Sequence, residues 1–236
     1  MNWVNWQRDI KVTVLNGKKV IIKKDKFTKA INEYFLIFLY SLISVILLHP
    51  SPPPKLGHMI LRNESQKNRK LLNRLGILTP HLYYLSKDTL IEEYIEEGNL
   101  YKFLKNNGDI DIVFKAGLIT AKLHQAGFCF IDNKAQNYLV KNSNLIRTDI
   151  GFIQKQSSIY AKSLDIGLFL SSLIDLDGEK YKKIEKTFLE GLKSESNERI
   201  PHLSIIIRNI SSLGISSNHY NLIANLSGIK KISNKY

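Results

Sequence analysis

The sequence predicts an α+β fold in which a small antiparallel sheet is followed by a mostly helical second part. Three observations carry that reading. Two β-branched runs, Lys11-Val-Thr-Val-Leu15 and Lys19-Val-Ile-Ile-Lys23, flank Asn16-Gly17, a dipeptide suited to a type I′ hairpin turn. Two further aromatic and β-branched runs, His81-Leu-Tyr-Tyr-Leu85 and Thr89-Leu-Ile-Glu-Glu-Tyr-Ile95, flank the turn signal Ser86-Lys-Asp88. After Gly98 the apolar residues recur at helical spacing instead.

Taken in order, the hairpin opens the chain and an apolar stretch from Tyr34 to Leu48 follows. This stretch has no charged residue and is closed by His49-Pro-Ser-Pro-Pro-Pro54, which cannot continue a helix. It predicts a helix over 34–48. At about fifteen residues this is shorter than the roughly twenty needed to span a bilayer, so burial in the protein or in an interface is expected. Lys23, Lys24, Lys26 and Lys29 ahead of it are what a helix lying on an anionic surface would show, which keeps a membrane surface open as a partner.

From Met59 to Gly76 the positions Ile60, Glu64, Lys67, Leu71 and Leu75 read as an amphipathic helix, with Gly76 as its C′ residue. Ile77-Leu-Thr-Pro80 turns the chain into the second pair of strands, which Glu96-Glu-Gly98 ends. Helices are expected over 100–104, 113–124, 163–175, 181–192 and 203–210. The division implied is a β-rich lobe over 1–95, carrying the inserted apolar helix, and an α-rich lobe over 96–236.

Composition bounds the function. The chain has 34 Lys+Arg against 21 Asp+Glu, a formal charge of +13, which favours anionic partners such as a nucleotide, RNA or an acidic membrane face. A solvated basic surface explains the charge equally well. A single cysteine, Cys129, excludes an internal disulfide framework and fits a reducing compartment. The N-terminus Met-Asn-Trp-Val-Asn-Trp lacks the basic-then-apolar pattern of a cleavable signal, so a cytoplasmic protein is expected.

The chemistry-bearing segment is Leu123-His124 leading to Asp132, then Asn137, a short apolar run, and Asp149-Ile-Gly151. An Asp-x-x-x-x-Asn alone is common in loops, and an Asp-x-Gly alone can be a β-turn. Their order and spacing carry the weight, because this is how kinases set out a catalytic base and two metal ligands. With Val20-Ile-Ile-Lys23, with Glu64 and the Gly76-Ile-Leu-Thr-Pro80 turn, and with Lys162-Ser-Leu-Asp165, the segment resembles the atypical protein-kinase-like superfamily, a two-lobed fold. Within it, the chain resembles the short branch of the kinase/ATPase subunit of the KEOPS tRNA-modification complex, the RIO kinases and the lipopolysaccharide kinases. The match runs over residues 18 to 192 with a gap at 28 to 58.

The resemblance implies a small serine/threonine-type protein kinase or ATPase that uses ATP with Mg2+, or Mn2+ in its place. Asp132 would be the base that orients or deprotonates the attacking hydroxyl, and Asn137 and Asp149 would hold the metal. Lys23 would hold the phosphates, Glu64 would pair with Lys23, and the backbone at Glu93, Tyr94 and Ile95 would meet adenine. Lys24 stands beside Lys23 as an alternative, as Glu33 does for Glu64. His124 reads as a helix-end residue bonded to backbone, and Asp165 as the brace behind the catalytic loop. The other histidines show no metal-ligand spacing.

The chain departs from the family pattern at several points. Phe130-Ile131-Asp132 stands where His-Gly-Asp is usual, Asp149-Ile-Gly151 stands for Asp-Phe-Gly, and nothing between Arg8 and Lys19 looks like a Gly-rich phosphate loop. Two competing readings follow. One is a nucleotide-binding pseudokinase scaffold that docks a partner, or a second copy, through the apolar helix. The other is a lipid-sugar or small-molecule kinase at a membrane. A tRNA-associated complex is the partner that the KEOPS likeness implies. The segment after Arg199 matches nothing.

Overall fold

In the computed structural model, the residues described are 8–54, 64, 66–196 and 199–213. The chain forms two compact units, Met1–Glu96 with Ile146–Gln154, and Glu97–Leu145 with Lys155–Tyr236. The architecture is α+β, with a four-stranded antiparallel sheet and helices, compatible with a two-lobed kinase-like fold.

In the first unit, β1 (Arg8–Leu15) and β2 (Lys18–Asp25) form the expected hairpin, with Leu15 opposite Lys18. Asn16 and Gly17 have φ of 48° and 74°, the left-handed pair a type I′ turn requires. β3 (Leu82–Leu85) and β4 (Thr89–Glu93) complete the sheet in the order β1-β2-β4-β3. Lys23 lies opposite Leu90 on β4. Lys23 is 7% exposed whereas Lys24 faces solvent, so the sheet separates the two neighbouring lysines by burial.

The apolar helix is longer than its uncharged run. α1 covers Phe27–Ile46, beginning seven residues before Tyr34 and stopping two short of Leu48. Charge-free sequence located the apolar part, but Glu33 and its neighbours are tolerated in a helix and nothing interrupts it ahead of Tyr34. The face α1 buries is Glu33, Ile37, Tyr40 and Ser44, and the Tyr40 hydroxyl lies 2.7 Å from Ser51 Oγ. Tyr34, Phe35, Phe38, Leu42, Val45 and Ile46 face outward.

α2 (Gln66–Arg74) is the C-terminal part of the amphipathic helix expected over 59–76, whose residues 59–63 and 65 lie outside the described residues. Gly76, at φ 72°, closes it as predicted. The Gly76 N–H donates to Asn73 O at 3.0 Å and the Ile77 N–H to Leu72 O at 2.9 Å, which is the Schellman pattern. Immediately afterwards Leu78 bridges in parallel to Ile146, and the Arg147 N–H donates to Leu78 O at 2.7 Å. Those contacts place Ile146–Gln154, and with it Asp149, in the first unit.

The second unit is built on α3 (Leu100–Lys105), α4 (Ile112–Gln125), α5 (Ile159–Ser171), α6 (Gly178–Glu195) and α7 (Leu203–Leu213). α5 starts four residues ahead of the expected 163 because Ser158 caps it, its side chain accepting from the Ala161 N–H at 3.1 Å. α4 and α6 cross closely: a Cβ on Gly117 would run into the Phe188 carbonyl, and one on Gly191 into the Phe114 carbonyl. Phe169 and Phe188 stack at 4.2 Å in this core. Short strands interrupt the helical sequence, β5 (Phe128–Cys129), β6 (Tyr138–Lys141), β7 (Asn144–Arg147) and β8 (Gln154–Lys155), the last two spanning the points where the chain passes from one unit to the other.

Candidate active site

In the first unit, a buried ionic network surrounds Lys23. The Lys23 ammonium lies 2.8 Å from Glu92 Oε1 and 3.1 Å from Asp149 Oδ1, and it donates to Thr148 Oγ1 at 3.1 Å. Arg69, on α2, reaches the other oxygen of Glu92 at 2.7 Å and also donates to the Pro80 carbonyl. The pair expected between Lys23 and Glu64 is not the one formed. Glu92, on the neighbouring strand β4, holds the lysine, while Glu64 Oε1 accepts from Arg8 Nη2 at 2.8 Å. The reason is position. In the β2–β4 ladder Glu92 lies opposite Ile21, two residues along from Lys23 and so on the same face of the sheet, whereas Arg8 reaches Glu64 from the start of β1.

Arg8 is the residue that sequence reasoning missed here. Its Nε donates to Asp25 at 2.6 Å and its Nη1 to Asp149 Oδ1 at 3.1 Å, with the side chain 11% exposed. These charges set the protonation of the network. Desolvation opposes ionisation of Asp149, but Lys23 and Arg8 outweigh it and hold the carboxyl well below the usual carboxylate range. Burial likewise favours neutral Lys23, yet Asp149 and Glu92 raise its pKa above the ordinary lysine value. Glu92 is held below its ordinary value because Lys23 and Arg69 overcome its desolvation.

Asp149 has φ 50°, a left-handed conformation that a short polar side chain tolerates. Its Oδ1 takes both cations, while Oδ2 has no hydrogen bond among the described residues and the side chain is 40% exposed. A hard divalent cation can therefore be met through Oδ2, so this donor fits the metal that the resemblance implies. At the three positions expected to meet adenine, the Glu93 N–H donates to His81 O at 2.8 Å and the Tyr94 N–H to Lys19 O at 3.3 Å. That leaves Ile95 as the one of the three whose N–H has no partner among the described residues, and its side chain is 4% exposed.

In the second unit, the loop after β5 carries Asp132 and Asn137. Asn137 Nδ2 donates to the Asp132 carbonyl at 2.9 Å and to Asp132 Oδ2 at 3.1 Å. A neutral amide meets a hard cation through its oxygen, so Oδ1 is the Asn137 atom that a metal would take. Lys134 Nζ lies 2.7 Å from Asp132 Oδ1, a contact the sequence did not single out because one lysine in a lysine-rich chain carries little signal.

The loop is held from behind by Asp165, which is fully buried on α5. Its Oδ1 accepts from the Ile131 N–H and its Oδ2 from the Phe130 N–H, both at 2.7 Å. His124 Nε2 is 2.9 Å from Asp165 Oδ2, so this histidine partners a carboxylate and not the backbone expected of it. Asn133 donates to Thr120 Oγ1 at 3.1 Å and accepts from the Tyr138 hydroxyl at 2.7 Å, which locks the middle of the loop. His124, Cys129 and Asp165 lie as close together as metal ligands do, but both Asp165 oxygens are spent on the loop and burial pushes the Cys129 thiol far up, away from the thiolate that metals bind.

No family model matches the chain. Among curated proteins it is similar to several that are named probable bifunctional tRNA threonylcarbamoyladenosine biosynthesis proteins. The protein of Methanosphaera stadtmanae is 26% identical over 147 residues, covering 60% of this chain and 28% of that protein. That of Methanoculleus marisnigri is 23% identical over 141 residues, 58% of this chain and 26% of that protein. That of Methanocaldococcus jannaschii is 28% identical over 126 residues, 52% of this chain and 23% of that protein. The chain spans about a quarter of the length of the curated relatives it matches. These likenesses agree with the resemblance read from the motifs, a kinase-like branch connected with tRNA modification.

Proposed function

We propose that the chain binds ATP with Mg2+ and transfers or hydrolyses its γ-phosphate, as an atypical kinase or ATPase that works in tRNA modification in the cytoplasm. The observation that carries this reading is the buried Lys23 ammonium held 3.1 Å from Asp149, a phosphate-anchoring cation beside a metal-binding carboxylate. Asp149 and Asn137 would hold the metal, which when bound neutralises charge on the phosphates. Lys23 would bind phosphate oxygens, and the Ile95 N–H would donate to the adenine. As the acceptor oxygen bonds to the γ-phosphorus and the bond to the departing ADP oxygen breaks, Asp132 takes the acceptor's proton. Lys134 holds the Asp132 carboxylate in place and stands ready to screen its charge from an incoming phosphate.

The tRNA part of the proposal is supported by the names of the relatives and by the +13 charge. The outward apolar face of α1 supports a protein partner or self-association there. No helix among the described residues is long and apolar enough to cross a membrane. A second reading, a nucleotide-binding scaffold without turnover, is favoured by one observation. β1 and β2 are joined by a two-residue turn with unbroken register, so this hairpin carries no loop to fold over the phosphates.

The test is Mg2+-dependent phosphate release from labelled ATP, wild type beside Asp149→Asn, with autophosphorylation read from the same samples. The expected loss in the variant is on the order of a hundredfold or more. Turnover retained in Asp149→Asn removes the metal assignment. No turnover in wild type, with nucleotide still raising the melting temperature, makes the scaffold the better reading.

A further inference from the structure

We propose that Arg8 is a gate on Asp149: with the Arg8 guanidinium on Oδ1 a divalent cation meets Oδ2 only weakly, and it binds tightly as the guanidinium lets go. The proposal rests on the reading of Asp149 as a metal ligand. Arg8 spends each of its three nitrogens on a different acid, Nε on Asp25 at 2.6 Å, Nη2 on Glu64 at 2.8 Å and Nη1 on Asp149 Oδ1 at 3.1 Å. Lys23 already occupies the same Asp149 oxygen at 3.1 Å. A carboxylate that carries two resident cations on one oxygen offers an arriving divalent ion much less attraction than a bare one, because like charges at this range repel strongly in a partly dry site.

The geometry makes release local. The contact to Asp149 is the longest of the three, and the contacts to Asp25 and Glu64 can persist when it breaks. Arg8 lies opposite Asp25 in register, and among the described residues β1 is bonded to β2 alone. The contact to Asp149 is made by side chains alone, so breaking it requires no rearrangement of the sheet.

A second observation points to a site whose charges are incompletely satisfied with Arg8 in place. Glu64 is 2% exposed, and its Oε2 is buried without a hydrogen-bond partner among the described residues. A buried carboxylate oxygen left unpaired favours any rearrangement that brings a cation to it. Arg8 turning from Asp149 toward Glu64 supplies one. The same movement frees Asp149 Oδ1 from one of its two cations. Arg8 therefore acts on metal binding through Asp149, as a positioning residue that touches neither nucleotide nor acceptor.

The experiment is a Mn2+ titration followed by electron paramagnetic resonance without nucleotide, on wild type, Arg8→Lys, Arg8→Gln and Arg8→Gln/Asp149→Asn. Arg8→Gln is expected to bind Mn2+ about tenfold tighter or more, as removal of one nearby unit charge implies. Arg8→Lys, which keeps the charge, should stay near wild type, and the double variant should lose the gain. Equal or weaker binding in Arg8→Gln overturns the proposal, as does a gain that survives the loss of Asp149 or an absence of Mn2+ binding in every protein. If Arg8→Gln melts below the assay temperature, Arg8→Gln/Glu64→Gln removes one cation and one acid together and is expected to bind Mn2+ more tightly than Glu64→Gln alone by the same factor. Nucleotide-induced melting shifts on the same samples report separately on the ATP reading: their absence would sink that reading, while the Mn2+ result still decides the role of Arg8.

Discussion

Ile131 adopts φ 66° directly before Asp132, a left-handed conformation that a β-branched residue takes only against a cost of about 1–2 kcal/mol. Its N–H is bonded to Asp165 and its side chain is 6% exposed, so the brace and the core hold it there. The bulky residue therefore occupies a backbone conformation that glycine adopts without strain. Ile131→Ala loses the burial and keeps the strain, whereas Ile131→Gly loses the burial and removes the strain. Glycine is expected to be the more stable of the two by about 1 kcal/mol in urea unfolding, the reverse of the order at an ordinary strand position. Alanine above glycine would show that residue 131 is not left-handed. Glu92 sets a second test. Glu92→Gln leaves Lys23 and Arg69 short of a countercharge and should cost about 3–5 kcal/mol. Because the folded pKa of Glu92 lies below its unfolded value, its stabilising contribution is complete above the unfolded pKa of about 4.3 and is lost as pH falls through that value toward the folded one. Unfolding free energy measured from pH 7 down to pH 3 should fall less steeply in Glu92→Gln than in wild type. Parallel curves would exclude Glu92 as a source of acid sensitivity.

Among the elements, α1 is the least ordinary. Its inward face carries Glu33 and Ser44 beside Ile37 and Tyr40, and its outward face carries Phe35, Phe38, Leu42 and Val45. A helix apolar on nearly all sides announces its existence in sequence but not its orientation, because no polar stripe marks the solvent side. Orientation can be read from stability. Ile37→Ala should cost about 2–4 kcal/mol, while Phe38→Gln should stay within about 0.5 kcal/mol, both followed by thermal melting of the isolated protein. Equal costs would mean that the outward face is covered. The helix ends were legible where a residue has a local backbone task, as Gly76 does after α2, and illegible where a helix runs on into charged sequence, as α1 does ahead of Tyr34.

Across the whole molecule, the groups of the candidate site differ in how far the sequence could reach. Asp132, Asn137 and Asp149 are singled out as candidates by their order within one short stretch of chain, since a loop and the strands that follow it impose regular spacing. The α+β class and the β1–β2 and β3–β4 pairings were found from period, β-branching and turn residues, which are local steric properties. The ion-pair partners were not. Arg8 and Asp149 are 141 positions apart and Lys23 and Asp149 126, and a formal charge says nothing about which opposite charge it will meet. Residue order alone thus settles which chemical groups are present, in what succession, and on which kind of element. That Glu92 holds Lys23, that Arg8 shares Asp149 and Glu64, and that Ile146–Gln154 joins the N-terminal unit are settled by folding, because those outcomes depend on long-range packing that brings distant charges into a dry, low-dielectric interior where each must find a partner.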